Sequence, residues 1–148
     1  MIDVMIYESG NGGEISLKNG DIETTDGLFN QPYLAHFGGN VEALTTGNEI
    51  VGVERFDWFG NFFLPKEAQM NSLLEKTLNE VALNSAGRLT VEKVAKIDLD
   101  FLTSLGDVTS SASITNTDKI TISDKINKTK VDYLWDATKA ELIEERII

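Results

Sequence analysis

One histidine, no cysteine and twenty-four carboxylates bound the chemistry open to this 148-residue chain. The histidine, His36, stands beside Leu34 and Phe37, just ahead of Gly38-Gly39. A Ser-His-Asp relay would have to use it, yet no serine lies in a Gly-x-Ser-x-Gly elbow. His36 therefore reads as a structural or surface residue. Two convergent carboxylates could act as acid and base. Asp98 and Asp100 are two apart in a helical stretch, so they diverge. Glu141, Glu144 and Glu145 read as a solvated face. Gly10-Asn11-Gly12-Gly13 lacks the Gly-Lys-Ser/Thr of a phosphate loop. Asp118 and Asp124 do not have EF-hand spacing. The sequence thus assigns no catalytic residue, no cofactor site and no metal site.

Composition narrows the partners. Thirteen basic residues against twenty-four acidic ones give a net charge of −11, and the acid is spread along the chain. Without a basic surplus to neutralise phosphates, nucleic acid is not an expected partner. No apolar run is long enough to cross a bilayer, so no membrane is expected either. Met1-Ile2-Asp3-Val4-Met5 lacks the basic start and apolar core of a signal peptide. The length and an apolar content of 41% fit one domain, 1–148, with a single core.

The elements that would position any site follow from periodicity. Ile2, Val4 and Ile6 alternate with Asp3, Met5 and Tyr7, which marks a strand. Glu14 to Leu17 returns as a second strand, and Asn19-Gly20 suits a type I′ turn into a third at Asp21 to Glu23. Asp26 can cap a helix beginning near Gly27, with Leu28, Tyr33, Leu34 and Phe37 on its apolar face and Gly38-Gly39 as its stop. Pro32 is awkward inside it. Residues 40–54 read as an irregular connection. Five aromatics then fall between positions 56 and 63, in Phe56-Asp57-Trp58-Phe59-Gly60-Asn61-Phe62-Phe63, closed by Pro65. This block reads as a hub packed between the two halves of the chain, with Trp58 and Phe62 buried.

Beyond Pro65, Met70, Leu73, Leu74, Leu78 and Val81 form the stripe of a helix over 66–83. A turn at Asn84-Ser85-Ala86-Gly87 leads to a second helix from about Leu89, with Thr90 as a cap. Val94, Ile97, Phe101, Leu102 and Leu105 would face inward, and Gly106 would stop the helix. So short a link implies an antiparallel pair. Val108, Ser110, Ala112 and Ile114, then Ile120, Ile122 and Ile126, alternate with polar residues around a turn at Asn116-Thr117-Asp118: a half-buried hairpin. Lys130 to Trp135 reads as a further strand, with Val131, Tyr133 and Trp135 sharing a face. Ala137 to Ile148 reads as a short helix or an extended assembly tail. The expected fold is α+β, an antiparallel sheet built from N- and C-terminal strands packed on two central antiparallel helices.

The order of the motifs adds a resemblance. Gly13-Glu14-Ile15, Asn19-Gly20-Asp21-Ile22 and Asp26-Gly27-Leu28 precede Phe37-Gly38-Gly39-Asn40. Trp58-Phe59-Gly60-Asn61, two helices, a Ser/Thr/Ile hairpin and Tyr133-Leu134-Trp135 follow. This arrangement, over nearly the whole chain, resembles the small baseplate wedge proteins of Mu-like contractile-tailed phages, related to the sheath initiators. Gly27, Phe37, Gly38, Gly39, Asn40, Trp58, Gly60, Asn61 and Trp135 carry the likeness. Phe59 departs from it, standing where that family tends to have a second Trp. The resemblance implies a structural role in multiple copies, among other wedge, hub and sheath proteins. It places the chain in the virion tail baseplate, and in the host cytoplasm during assembly. Some relatives bear a lysozyme-like label, which no residue pattern here supports.

Strand addition to an open sheet edge needs main-chain groups more than side-chain chemistry. The candidate interface is therefore the C-terminal hairpin edge near Ile120 and Ile122, guarded by Lys119 and Lys125, together with Leu142 and Ile143 of the tail. Two rival readings are a small tail-associated peptidoglycan hydrolase and a peptide- or ligand-binding module using residues 56–63.

Overall fold

The computed structural model describes residues 2–8, 13–26, 30–38, 63, 65 and 72–148. Among them it is a mixed helix and antiparallel-sheet protein with three α-helices. Six short strands come first: β1 (Ile2–Val4), β2 (Ile6–Glu8), β3 (Gly13–Ile15), β4 (Leu17–Lys18), β5 (Asp21–Ile22) and β6 (Thr24–Asp26). The expected meander is present but folded into a triangle. β1 pairs with β6, β2 with β3 and β4 with β5, each antiparallel. At the junction three backbone bonds close a ring. Met5 N–H donates to Glu23 O, Ser16 N–H to Met5 O, and Glu23 N–H to Ser16 O, at 2.8, 2.9 and 2.9 Å. Each strand thus changes partner at one residue without leaving its amide unpaired. Asn19 and Gly20 both have positive φ (55° and 82°), as the Asn-Gly turn requires.

Helix α1 (Asn30–Phe37) tolerates Pro32 because that residue lies in the first turn, where its missing N–H has no intrahelical acceptor. Gly38 ends it. The Gly38 N–H donates to Leu34 O at 2.8 Å, and a β-carbon there would collide with that same carbonyl. Asn30 fastens the other end to the triangle. Its Oδ1 accepts from Ile6 N–H at 3.1 Å, and its Nδ2 donates to Val4 O at 2.5 Å. One buried amide so bridges β1 and β2 on either side of Met5.

The two central helices are shorter and differently placed than periodicity implies. Within the expected 66–83 helix, the described helical part is α2 (Leu74–Glu80). Its successor α3 (Ser85–Asp98) starts four residues before Leu89, because Asn84 caps it by accepting from Gly87 N–H at 2.9 Å. Thr90 is therefore inside the helix, bonded back to Ala86 O. The inward stripe is Val91, Ala95, Leu99 and Leu102, whereas Ile97, Phe101 and Leu105 are exposed. A 3-10 helix over Asp100–Ser104 finishes the segment. α3 packs on α2, and α1 touches both.

The last third builds one four-stranded sheet from β7 (Val108–Asn116), β8 (Lys119–Ile126), β9 (Thr129–Asp136) and β10 (Glu141–Ile147), in the order β10-β9-β8-β7. The sheet expected to combine strands from both chain ends is instead C-terminal throughout, and β2 comes close to β10 without joining the ladder. The segment Ala137 to Ile148 is neither helix nor free tail. It pairs with β9, with Leu142 opposite Trp135. β-pairing against a hydrophobic neighbour outweighs the helical preference of Glu and Leu here. One sheet face is polar, and the other meets the helices through Ala112, Ile120, Ile122, Val131, Tyr133, Trp135 and Leu142. Trp135 is 1% exposed, and burial of so large a side chain contributes roughly 4–6 kcal/mol of gross apolar stabilisation.

Candidate functional site

Helix α1 points His36 into the interface between the helices and the sheet. The ring is fully buried, and both nitrogens meet carboxylates. Nε2 lies 2.7 Å from Oδ2 of Asp124 on β8, and Nδ1 lies 3.4 Å from Oδ2 of Asp98 at the end of α3. Both carboxylates are also sealed from solvent, at 0% and 1% side-chain exposure. Burial by itself would lower the imidazole pKa. The charges and hydrogen bonds of Asp124 and Asp98 outweigh burial and raise it to about 9, so His36 is an imidazolium at neutral pH.

Asp98 has a second task. Its oxygens accept from Leu73 N–H at 3.1 and 3.2 Å and from Leu74 N–H at 2.9 Å. These are orphan donors at the start of α2, where Leu73 offers no capping side chain of its own. A carboxylate from α3 therefore caps α2 and pairs with α1 at once, and its charge suits the positive end of the helix. Tyr133 sets its ring edge-on to His36, with centroids 5.9 Å apart. Burial first, and then the charge of Asp124, pushes the Tyr133 hydroxyl well above its ordinary pKa. Ser110, directly opposite Asp124 across β7–β8, has a buried hydroxyl with no bonded partner, as does Oδ1 of Asp124.

This cluster ties four elements together and offers little for catalysis. The imidazole has no nitrogen left for a substrate, a nucleophile or a metal. Among the described residues no three His, Asp or Glu side chains are grouped to hold a metal ion. Asp100, the other half of the carboxylate pair in the sequence, is exposed on the 3-10 helix, whereas the Asp98 side chain is buried. Glu144 is exposed on β10, with Glu141 and Glu145 partly so.

The cluster left a signal in the sequence. Asp124 is in phase with Ile120, Ile122 and Ile126, and Asp98 with Val91, Ala95 and Leu102. A charge repeating in step with core residues is a buried charge, which needs a partner.

The motif residues divide. Phe37 stacks on Trp135, with centroids 6.3 Å apart and planes 13° from parallel, and also meets Tyr133 at 5.5 Å. Phe37 thus meets Trp135 in the core beside His36, and Gly38 is buried at the end of α1. Gly27, Gly39, Asn40, Trp58, Gly60 and Asn61 lie outside the described residues, as does the aromatic hub from Phe56 to Phe62. Phe63, at the end of the hub, is 76% exposed, while Trp58 and Phe62, the two aromatics expected to be buried, lie outside the described residues.

Two interface expectations need correction. Ile120 and Ile122 are wholly buried on β8, an inner strand bonded on both sides, so they line no edge. Lys119 and Lys125 stand on the same inner strand and guard no edge, and Lys119 reaches toward Asp136 at 3.9 Å. The edges are β7 and β10. On β10, Leu142 is buried in the core and Ile143 is half-buried.

Fold and site together define a mixed α/β domain with antiparallel sheets, braced by a sealed Asp-His-Asp cluster. No helix among the described residues is long and apolar enough to cross a membrane. Comparison of the chain with protein-family models, curated proteins and solved structures finds no match.

Proposed function

We propose that this chain is a structural subunit of a contractile-tail baseplate, in a phage or a related injection system, where it helps form the wedge around the hub and starts the sheath. The observation that carries the reading is the C-terminal sheet. It is backed by helices on one face and ends in β10, whose last residue Ile147, with Ile148 just beyond it, is an exposed apolar side chain near the charged Glu144 and Arg146. Such a strand offers main-chain groups and a short apolar end to a neighbouring subunit. The motif order from Gly13 to Trp135 supports the same reading. So does the position of His36, Asp98 and Asp124, whose chemistry is closed off inside the fold and serves to hold it.

On this reading the chain is not an enzyme, needs no cofactor and acts in several copies beside wedge, hub and sheath proteins. Disruption of its gene in a producing cell tests this. Electron microscopy should then find no complete contractile tails, and the wild-type chain supplied in trans should restore them. Normal tails from the disrupted strain would overturn the reading.

A further inference from the structure

The two edges of the C-terminal sheet are protected differently. β10 carries Glu141, Glu144, Glu145 and Arg146, charges that oppose pairing with a second β10 and leave it open only to a strand of complementary charge. β7 reads Val-Thr-Ser-Ser-Ala-Ser-Ile-Thr-Asn: nine residues without a charge, a proline or a glycine. An uncharged edge of that length is a template for pairing, so something other than its own side chains must guard it.

The hydrogen-bond pattern shows what does. Asn127 N–H donates to Asp107 O at 2.8 Å, which fixes the alternation along the β7–β8 ladder. Counting from there, Ala112 and Ile122 form a pair without mutual hydrogen bonds. The N–H and C=O of Ala112 therefore point outward, away from β8. Helix α3 takes both. Arg88 Nη1 donates to Ala112 O at 3.1 Å, and Ala112 N–H donates to Glu92 Oε2 at 3.4 Å. Arg88 and Glu92 are themselves joined at 3.0 Å, and Lys96 holds the other Glu92 oxygen at 2.9 Å. One donor and one acceptor, a helical turn apart, reproduce at one residue what a neighbouring strand would supply. Lys96, and then the Ala112 amide, keep the Glu92 carboxyl below its usual range, so this fork is charged at neutral pH.

We propose that the outer edge of β7 is a pairing surface for β7 of a second copy of this chain, held closed at its centre by the Arg88–Glu92 fork. The strand is self-complementary about Ala112. A two-fold axis there sets the outward N–H and C=O of each Ala112 against those of the other copy, an isologous contact. Ser110 then faces Ile114, and Ser111 faces Ser113. No like charges meet, so nothing on the strand itself rejects the match. The two four-stranded sheets would join into one. The inference rests on the fork and on the composition of β7, and holds whether or not the chain belongs to a baseplate.

The test opens the fork and then replaces the guard. Arg88 and Glu92 are partly exposed, so R88A/E92A should fold, as circular dichroism would verify. Its Ala112 amide should exchange roughly five- to tenfold faster than in the wild type when monomeric. On concentration it should sediment as a dimer while the wild type stays a monomer. Adding S111K/S113K sets lysines opposite each other across the proposed two-fold, and should restore the monomer without slowing Ala112 exchange. If R88A/E92A fails to fold, R88M/E92M removes the same polar groups but keeps the side-chain bulk, and is read in the same way. A folded, monomeric fork variant overturns the proposal. So does a dimer that survives S111K/S113K, since its contact would lie elsewhere.

Discussion

Raising the pH should loosen this protein through a single side chain. His36 is the sole histidine and there is no cysteine, so no other side chain has an ordinary pKa in the neutral to mildly alkaline range. Its folded pKa is about 9, above the 6.5 of an unfolded chain. A raised pKa means that the folded state holds the proton more tightly. The added stability is thus fully present below about pH 6.5 and is lost as pH climbs through about 9. The interval between those values corresponds to about 3 kcal/mol. For a chain of this size that is a fall of roughly 6–12 °C in Tm. Thermal or urea unfolding followed across the window measures it directly. His36→Gln keeps a donor but not the charge, so its profile should be flat over the same range. It should also be less stable than the wild type at neutral pH by roughly 3–5 kcal/mol, because Asp98 and Asp124 remain buried without a cation. A wild-type Tm that holds steady or rises from neutral to alkaline pH would refute the charged Asp-His-Asp reading.

Three further outcomes follow from particular residues. Asn30→Ala removes the amide that bonds Val4 O and Ile6 N–H, and should cost roughly 2–4 kcal/mol in denaturant unfolding; a loss of a few tenths would mean that α1 is anchored elsewhere. Ala140 has φ of 53° in the turn before β10, so Ala140→Gly should raise stability by roughly 0.5–1 kcal/mol, and a lower Tm would contradict the strain argument. Purified protein should release no soluble fragments from peptidoglycan; release abolished by one Asp→Asn or Glu→Gln change would restore the hydrolase reading.

Much of the sheet was legible because its signals are local. The alternation of Ile120, Ile122 and Ile126 and of Val131, Tyr133 and Trp135, with Asn19-Gly20 at a tight turn, states which side faces inward at each step. The helices were less legible. Asn84 and Ser85 look like turn residues until their position at an N-terminus makes them a cap and a first turn, and that shift moves the buried stripe from Ile97 and Phe101 to Ala95 and Leu99. The tail is ambiguous for another reason. Glu141 to Ile147 has helical composition, and only the neighbouring β9 makes it a strand. The charge cluster could not be assembled from sequence, since His36, Asp98 and Asp124 come from three elements whose packing no local pattern encodes. What the sequence does carry is the phase of each aspartate with core positions, a mark of burial without the identity of its partner.

The proposed place of this chain in a contractile tail is tested most directly by its location. Tail particles purified from producing cells should contain the chain in a fixed ratio to the sheath protein. Antibody labelling should place it at the baseplate end and nowhere along the tube. Particles of normal composition that lack the chain, with all of it recovered free in the cell lysate, would contradict the account.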